Sequence, residues 1–244
     1  MNNFRTHANI LGYTLILIIV SRLILYLVGY LGINLFSHYT EPPQYRETNL
    51  FGANQFLMLP ESLEDTRKPG VSDMLKFDTY SYLKIADQGY DRIRMDEPHP
   101  PANWVFFPLY PLSVSLVSKL LPFWDTLTVG LLLSNLYLWL ALYLIYLIGL
   151  EKGLSHGKAR SVVFLVLLFP ASLYFSAFYT ESLFLLLSAA SVYFAMTKRY
   201  GWAFLAAGLS TVTRIPGIAN LLFVGGHLLI TLRFRITLKE WKYL

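Results

Sequence analysis

The sequence predicts an all-α integral membrane protein, a multi-span helical bundle with a large first extracytoplasmic loop carrying interfacial helices. Three observations predict it. Of 244 residues, 55% are hydrophobic and only 14% charged, whereas globular proteins carry about 25% charged residues. The mean hydropathy is +0.47. Apolar runs of about the 20 residues a helix needs to cross the hydrocarbon core recur along the chain, and most acidic residues are gathered into one segment between the first run and the rest.

The first apolar run, Ile10 to Ile33, is read as the first span, over 10–33. It is longer than the 7–15 apolar residues of a signal peptide, and no small-residue cleavage site follows it. From Ser37 to Trp104 the composition changes: 11 of the 15 acidic and 7 of the 20 basic residues lie here, a local charge of −4 against +9 for the rest. Residues 37–104 are therefore a polar loop outside the bilayer. In Val105 to Pro122, Pro108 and Pro111 come early, and Ser113, Ser115, Ser118 and Lys119 fall near one face at helical spacing. That pattern predicts a helix over 105–122 lying in the membrane interface.

Leu127 to Leu150 predicts the next span, 127–150, closed by a basic loop with Lys152, Lys158 and Arg160. The apolar blocks that follow are each too long for one span and long enough for two short ones, giving spans at 161–177, 180–197, 202–215 and 217–232. The positive-inside rule places the loop at 152–160, Lys198 with Arg199, and the segment from Arg233 in the cytoplasm. An odd number of crossings must then separate the outer loop from Lys152, so 127–150 crosses and 105–122 does not. Six crossings follow, with both termini inside and outer tips near Ser176 to Glu181 and Arg214 to Gly217. No repeat at solenoid period is visible.

Several function classes are excluded. With no cysteine there is no disulfide framework, thiol nucleophile or cysteine metal site. His7, His38, His99, His156 and His227 are scattered, with no pair at zinc-ligand spacing. Net charge is +5, but the cations border apolar runs as topology signals and form no basic stripe for nucleic acid. There is no Walker or dinucleotide fingerprint, and Gly225-Gly226 reads as close helix packing. An enzyme facing outwards without nucleotide sugars or ATP must receive its activated substrate in another form, and a lipid-linked donor fits.

Ionisable groups at membrane depth or at its outer edge are costly, which makes each a site candidate. Asp78 lies in L-K-F-D-T-Y-S-Y-L-K-I-A-D-Q-G-Y, whose apolar and aromatic positions suggest a short amphipathic helix on the outer surface. Among aromatics beside lipid, it is either a general base or a helix N-cap. Glu181, in F-P-A-S-L-Y-F-S-A-F-Y-T-E-S-L-F, could orient an acceptor sugar or a metal, or begin the descending helix at the positive end of its dipole. Arg214, in L-S-T-V-T-R-I-P-G-I-A-N, could fork onto a lipid phosphate or snorkel to the interface. Two carboxylates at an outer surface could also hold a divalent cation, although no spacing demands one. Tyr80, Tyr82, Tyr90, Trp104 and Tyr110 could stack on a sugar or form the interfacial belt.

Four strings in order, F-D-T-Y-S-Y-L-K-I-A-D-Q-G-Y, F-F-P-L-Y-P-L, F-P-A-S-L-Y-F-S-A-F-Y-T-E-S-L-F and T-R-I-P-G-I-A-N, resemble the PIG-V-like mannosyltransferases of the GT-C class of integral-membrane glycosyltransferases. The resemblance implies a GT-C-type bundle whose first outer loop carries the catalytic carboxylate. Asp78 matches the acidic residue of the family's W-D-x-x-H-Y string and Tyr82 its tyrosine, while Phe77 replaces the tryptophan and Ser81 the histidine. It further implies inverting transfer of mannose or a similar hexose from a polyprenyl- or dolichyl-phosphate carrier to a hydroxyl of a glycan, lipid or protein. Asp78 is then the base, with Tyr82, Glu181 and Arg214 on the substrates. Family members continue through further spans, so the chain reads as the N-terminal part of a longer architecture. Its membrane is the plasma membrane in a bacterium and the endoplasmic reticulum in a eukaryote. A reading of a different class is a non-catalytic membrane carrier or a supporting subunit of a glycosyltransferase complex.

Overall fold

A computed structural model describes residues 2–35, 66–75, 78–92 and 102–232. Residues 36–65, 76–77, 93–101 and 233–244 lie outside the described residues, and with them Phe77, much of the polar loop and the last basic segment. Among the described residues the secondary structure is entirely helical.

Among the described residues two helices are long and apolar enough to cross a membrane. The first, α1 (Asn2–Leu35), has 34 residues, about 51 Å at 1.5 Å per residue. Ile10 and Ile18 pack into the core, but most of its apolar side chains face outwards, with Ile16 62% and Leu23 64% exposed, an arrangement suited to lipid. The other, α4 (Thr126–Glu151), has 26 residues, about 39 Å against a core of about 30 Å. Asp125 caps it by accepting from the Thr128 backbone N–H at 2.9 Å. Gly153, at φ +79°, closes it, letting the Leu154 N–H return to the Gly149 carbonyl at 3.0 Å. That left-handed position favours glycine.

Around α4 stand four shorter helices, α5 (His156–Leu168), α6 (Glu181–Met196), α7 (Tyr200–Thr211) and α8 (Gly217–Thr231). Their 12 to 16 residues give lengths of about 18–24 Å. The helix expected from 161 starts earlier, because Ser155 caps it, and stops at Leu168 because Pro170 follows and opens a 3₁₀ turn, Pro170–Phe175. Both α5 and α6 pack on α4, α7 packs on α6, and α8 on α7 and α6. Apolar area gives little drive between helices in lipid, so close approach of small residues matters. Ala189, Ala190 and Ala195 of α6 and Ala203, Ala206 and Ala207 of α7 are buried accordingly.

Two helices outside this group complete one end of the bundle. From the polar loop comes α2 (Thr79–Gln88), burying Thr79, Tyr82, Ile85 and Ala86 along one face; Tyr80 points away, 61% exposed. The helix expected over 105–122 is α3 (Leu109–Leu120), with Pro108 at its N-cap and a 3₁₀ turn, Asn103–Val105, before it. It packs on α2 and α4, burying Tyr110 and Val114 while Leu112, Leu116 and Leu120 stay exposed. Tyr82, Tyr110, Val129, Phe178 and Leu183 share one core cluster. It joins α2, α3, α4, α6 and the segment before α6 into the platform beneath the site.

Candidate functional site

A pocket of about 210 Å³ opens on this platform, lined by Asp78, Tyr82, Glu181 and Arg214. The structure thus brings all four sequence-predicted site residues together. Phe107, Tyr179, Thr180 and Thr213 to Pro216 complete its wall, so each of the four strings contributes to one cavity. Spacing gave no sign of Phe107 and Thr180 as wall residues, although both lie inside the quoted strings.

The local chemistry of the two helix starts is unusual. Asp125 and Ser155 sit at N-caps with extended backbone and accept capping hydrogen bonds, the ordinary arrangement. Asp78 and Thr180 occupy the N-caps of α2 and α6 in helical conformation, and neither side chain makes a capping bond. Asp78 thus holds the cap position without a capping bond and lines the pocket. The Thr180 hydroxyl accepts from Arg214 Nη1 at 3.3 Å.

Glu181 is the first residue of α6, where a carboxylate meets the positive end of the helix dipole. Its Oε1 accepts from Arg214 Nη1, while Oε2 is shielded from water and has no hydrogen-bond partner among the described residues. A buried acceptor left in that state is costly, and a hydroxyl donor in the pocket would satisfy it. The Arg214 side chain remains 40% exposed, which leaves it within reach of an incoming anion.

Arg214 is held by the backbone around it. Its N–H donates to the Ser210 carbonyl at 3.0 Å and its carbonyl accepts from the Gly217 N–H at 2.9 Å. A Cβ at Gly217 would meet the Ser210 and Thr211 backbone at 2.4–2.5 Å, so only glycine lets α8 start so close to α7. Asn220 donates to the hydroxyls of Ser188 on α6 and Ser210 on α7, at 2.8 and 2.9 Å. The Leu109 N–H reaches the Val212 carbonyl at 3.3 Å, tying α3 to the same turn.

Similar ties position the opposite wall. The Phe178 ring packs where a Gly130 Cβ would stand, 2.0 Å away, and meets the Tyr110 ring edge-on at 5.3 Å. Tyr110 bonds the Gly130 carbonyl and Ser134, and Ser176 donates to Asn135 at 2.6 Å. Tyr82 packs edge-on against Phe106 and Tyr179. Burial pushes its phenol above the ordinary value, and a hydrogen bond to Thr180 works against that.

The other outer aromatics have structural partners. Tyr90 donates to the Phe106 carbonyl at 2.6 Å and Trp104 to the Asp91 carbonyl at 2.7 Å. Ser81, at the family's histidine position, is absent from the lining. Among the described residues no group of three or more His, Asp or Glu side chains that could hold a metal ion occurs.

The described residues are all helical, two of their helices are long and apolar enough to cross a bilayer, and a pocket lined by acidic residues and an arginine opens at helix ends, features that suggest a membrane protein with a polar site. The profile of the mannosyltransferase (PIG-V) family matches residues 12–241. The chain belongs to that family, and mannosyl transfer is the activity this membership supports. Comparison with curated proteins and with solved structures finds no significant match in either.

Proposed function

We propose that the chain transfers mannose, or a similar hexose, from a polyprenyl-phosphate carrier to an acceptor hydroxyl at the extracytoplasmic face of the membrane, inverting the anomeric centre. The observation that carries this reading is the convergence of Asp78, Tyr82, Glu181 and Arg214 on one pocket in a chain of the mannosyltransferase family. The acceptor oxygen attacks the anomeric carbon and passes its proton to the Asp78 carboxylate. The bond from that carbon to the phosphate oxygen breaks, and the polyprenyl phosphate leaves with the bonding pair. Arg214 meets the charge growing on the phosphate, and Glu181 Oε2 accepts from a sugar hydroxyl. The Tyr82 and Tyr179 rings offer apolar faces to the sugar. A GT-C-type bundle of six crossings, its outer loop bearing α2, is the architecture that goes with this chemistry.

The test is transfer of labelled mannose from polyprenyl-phosphate-mannose to a pool of acceptors, using the purified chain in lipid and its Asp78→Asn variant. A positioned base contributes about 10²–10⁴-fold, so Asp78→Asn should lose that much turnover. Its thermal midpoint should stay close to the parent's, since Asp78 makes no capping bond. Equal transfer by both proteins would remove Asp78 from the chemistry. Donor binding without transfer by either would favour the carrier or supporting-subunit reading.

A further inference from the structure

Arg22 lies in the middle of α1 and is the one charged residue between Ile10 and Ile33, where the polar Thr14 and Ser21 donate to carbonyls of their own helix. Its Nη1 donates to the Ser172 carbonyl at 3.1 Å, across 150 residues of sequence. Nε and Nη2 are shielded from water and have no acceptor among the described residues. Those two groups form the side-on fork with which a guanidinium grips two oxygens of a phosphate. An arginine at membrane depth is a functional-site candidate because an unmatched charge there is costly.

The same side chain lines a cleft of about 510 Å³ between α1 and α4, walled mainly by Ile18, Ile19, Leu23, Leu136 and Trp139. Of the other polar side chains on that wall, Asn135 is engaged with Leu131 and Ser176, Trp139 with the Leu11 carbonyl, and the uncharged Tyr26 is 48% exposed. Arg22 is thus the unmatched charge of an apolar groove. The groove's chemistry fits an amphiphile with an anionic head and a hydrocarbon tail, and a channel between two neighbouring helices suits a single chain better than the paired chains of a phospholipid.

We infer that the α1–α4 cleft docks a single-chain isoprenoid phosphate, its phosphate on the Arg22 fork and its tail along α1. This rests on the reading that the sugar donor is a polyprenyl phosphate, and it adds a bilayer-side site apart from the reaction pocket. Docking requires the guanidinium to swing its fork edge into the cleft, while the Ser172 carbonyl steadies Nη1.

The experiment places the full chain in phosphatidylcholine nanodiscs with a sugar-free polyprenyl phosphate carrying a diazirine near its head, and maps the crosslinked peptides. Labelling is expected within 15–26 and 135–139, several-fold weaker in Arg22→Met and in Leu136→Trp, which fills the cleft. Arg22→Lys, which keeps the charge and loses the fork, should fall between and guards against misfolding in the methionine variant. Crosslinks on other segments, equal labelling of Arg22→Met, or displacement by excess phosphatidylglycerol would overturn the proposal. Asp78→Asn should label normally. Cleft labelling in a chain that transfers no mannose would sink the transfer reading and leave the cleft standing, whereas transfer without cleft labelling would do the reverse.

Discussion

Four N-cap residues separate two kinds of work that the same side-chain chemistry can do. Asp125 and Ser155 satisfy helix N–H groups, an interaction whose loss typically costs about 1 kcal/mol. Asp78 and Thr180 forgo it, and both line the pocket. Stability given up at a helix start is what a site residue shows when its position serves ligands. Arg214 is the charge they face, and its removal gives a graded test of the site. Arg214→Ala should lower turnover about 10²–10³-fold, the loss typical of one electrostatic stabiliser of a transition state. Arg214→Lys should recover only part, because an ammonium cannot fork onto phosphate; wild-type turnover in both variants would exclude Arg214 from the reaction. Asp91 is a purely structural contrast. Hydrogen bonding to Lys84 holds its carboxyl below the ordinary 3.8, while its Oδ2 accepts from the Asn103 N–H at 3.1 Å. A lowered folded-state value means the stabilisation is present above pH 3.8 and fades as pH falls through the lowered one. Asp91→Asn should melt below wild type at pH 6, and the difference should close on acidification below about pH 4; a pH-independent difference would contradict this account.

At the scale of the element, glycine decides how closely the site's helices approach. Gly217 is in contact with the backbone of α7, so Gly217→Ala must push α8 away and tilt the turn that carries Arg214. Overpacking of this kind costs about 1–3 kcal/mol, and turnover should fall with it. Gly208 has open space around its Cβ position, so Gly208→Ala should be neutral or slightly stabilising. The pair, compared by thermal melting and turnover, separates crowding from helix propensity; equal effects would show that the close approach is unimportant. The glycines also mark what the sequence made legible. Tyr82, Ile85 and Ala86 share a face by helical spacing alone, and the four site residues stood out as charges or aromatics where these are costly. Gly217 lay inside a quoted string without a reason attached, and Gly130 had no local signal, since its partner Phe178 is 48 residues away. The start of α5 differs from the expected 161 because its first turn, His156 to Arg160, is polar and indistinguishable by composition from the basic loop before it. Tyr110 was read as belt or sugar platform, whereas its hydroxyl is spent on Gly130 and Ser134, a tertiary pairing no periodicity reveals.

At the scale of the whole molecule, charge and helix length pull the topology in different directions. Among the described residues only α1 and α4 meet the length for a bilayer, while α5 to α8 are about 18–24 Å long. Short helices can cross if the bilayer thins locally or if longer neighbours shield their ends. The positive charges favour crossing, because Lys152, Lys158, Lys198 and Arg199 all fall at the ends that continue from the C-terminus of α4. Six crossings put Phe123 and Ile215, 73% and 68% exposed, outside, and Gly153 and Lys198 inside. The chain has no cysteine, so a single cysteine placed at each position reports without background. With an impermeant maleimide on intact cells, cysteines at 123 and 215 should label at once, and those at 153 and 198 only after permeabilisation. Labelling at 198 in intact cells, with 153 still protected, would mean that α5 and α6 do not both cross. The pocket would then need another account of its depth, because Glu181 begins α6 and Arg214 lies in the turn before α8, on the side that six crossings assign to the donor lipid's outer leaflet.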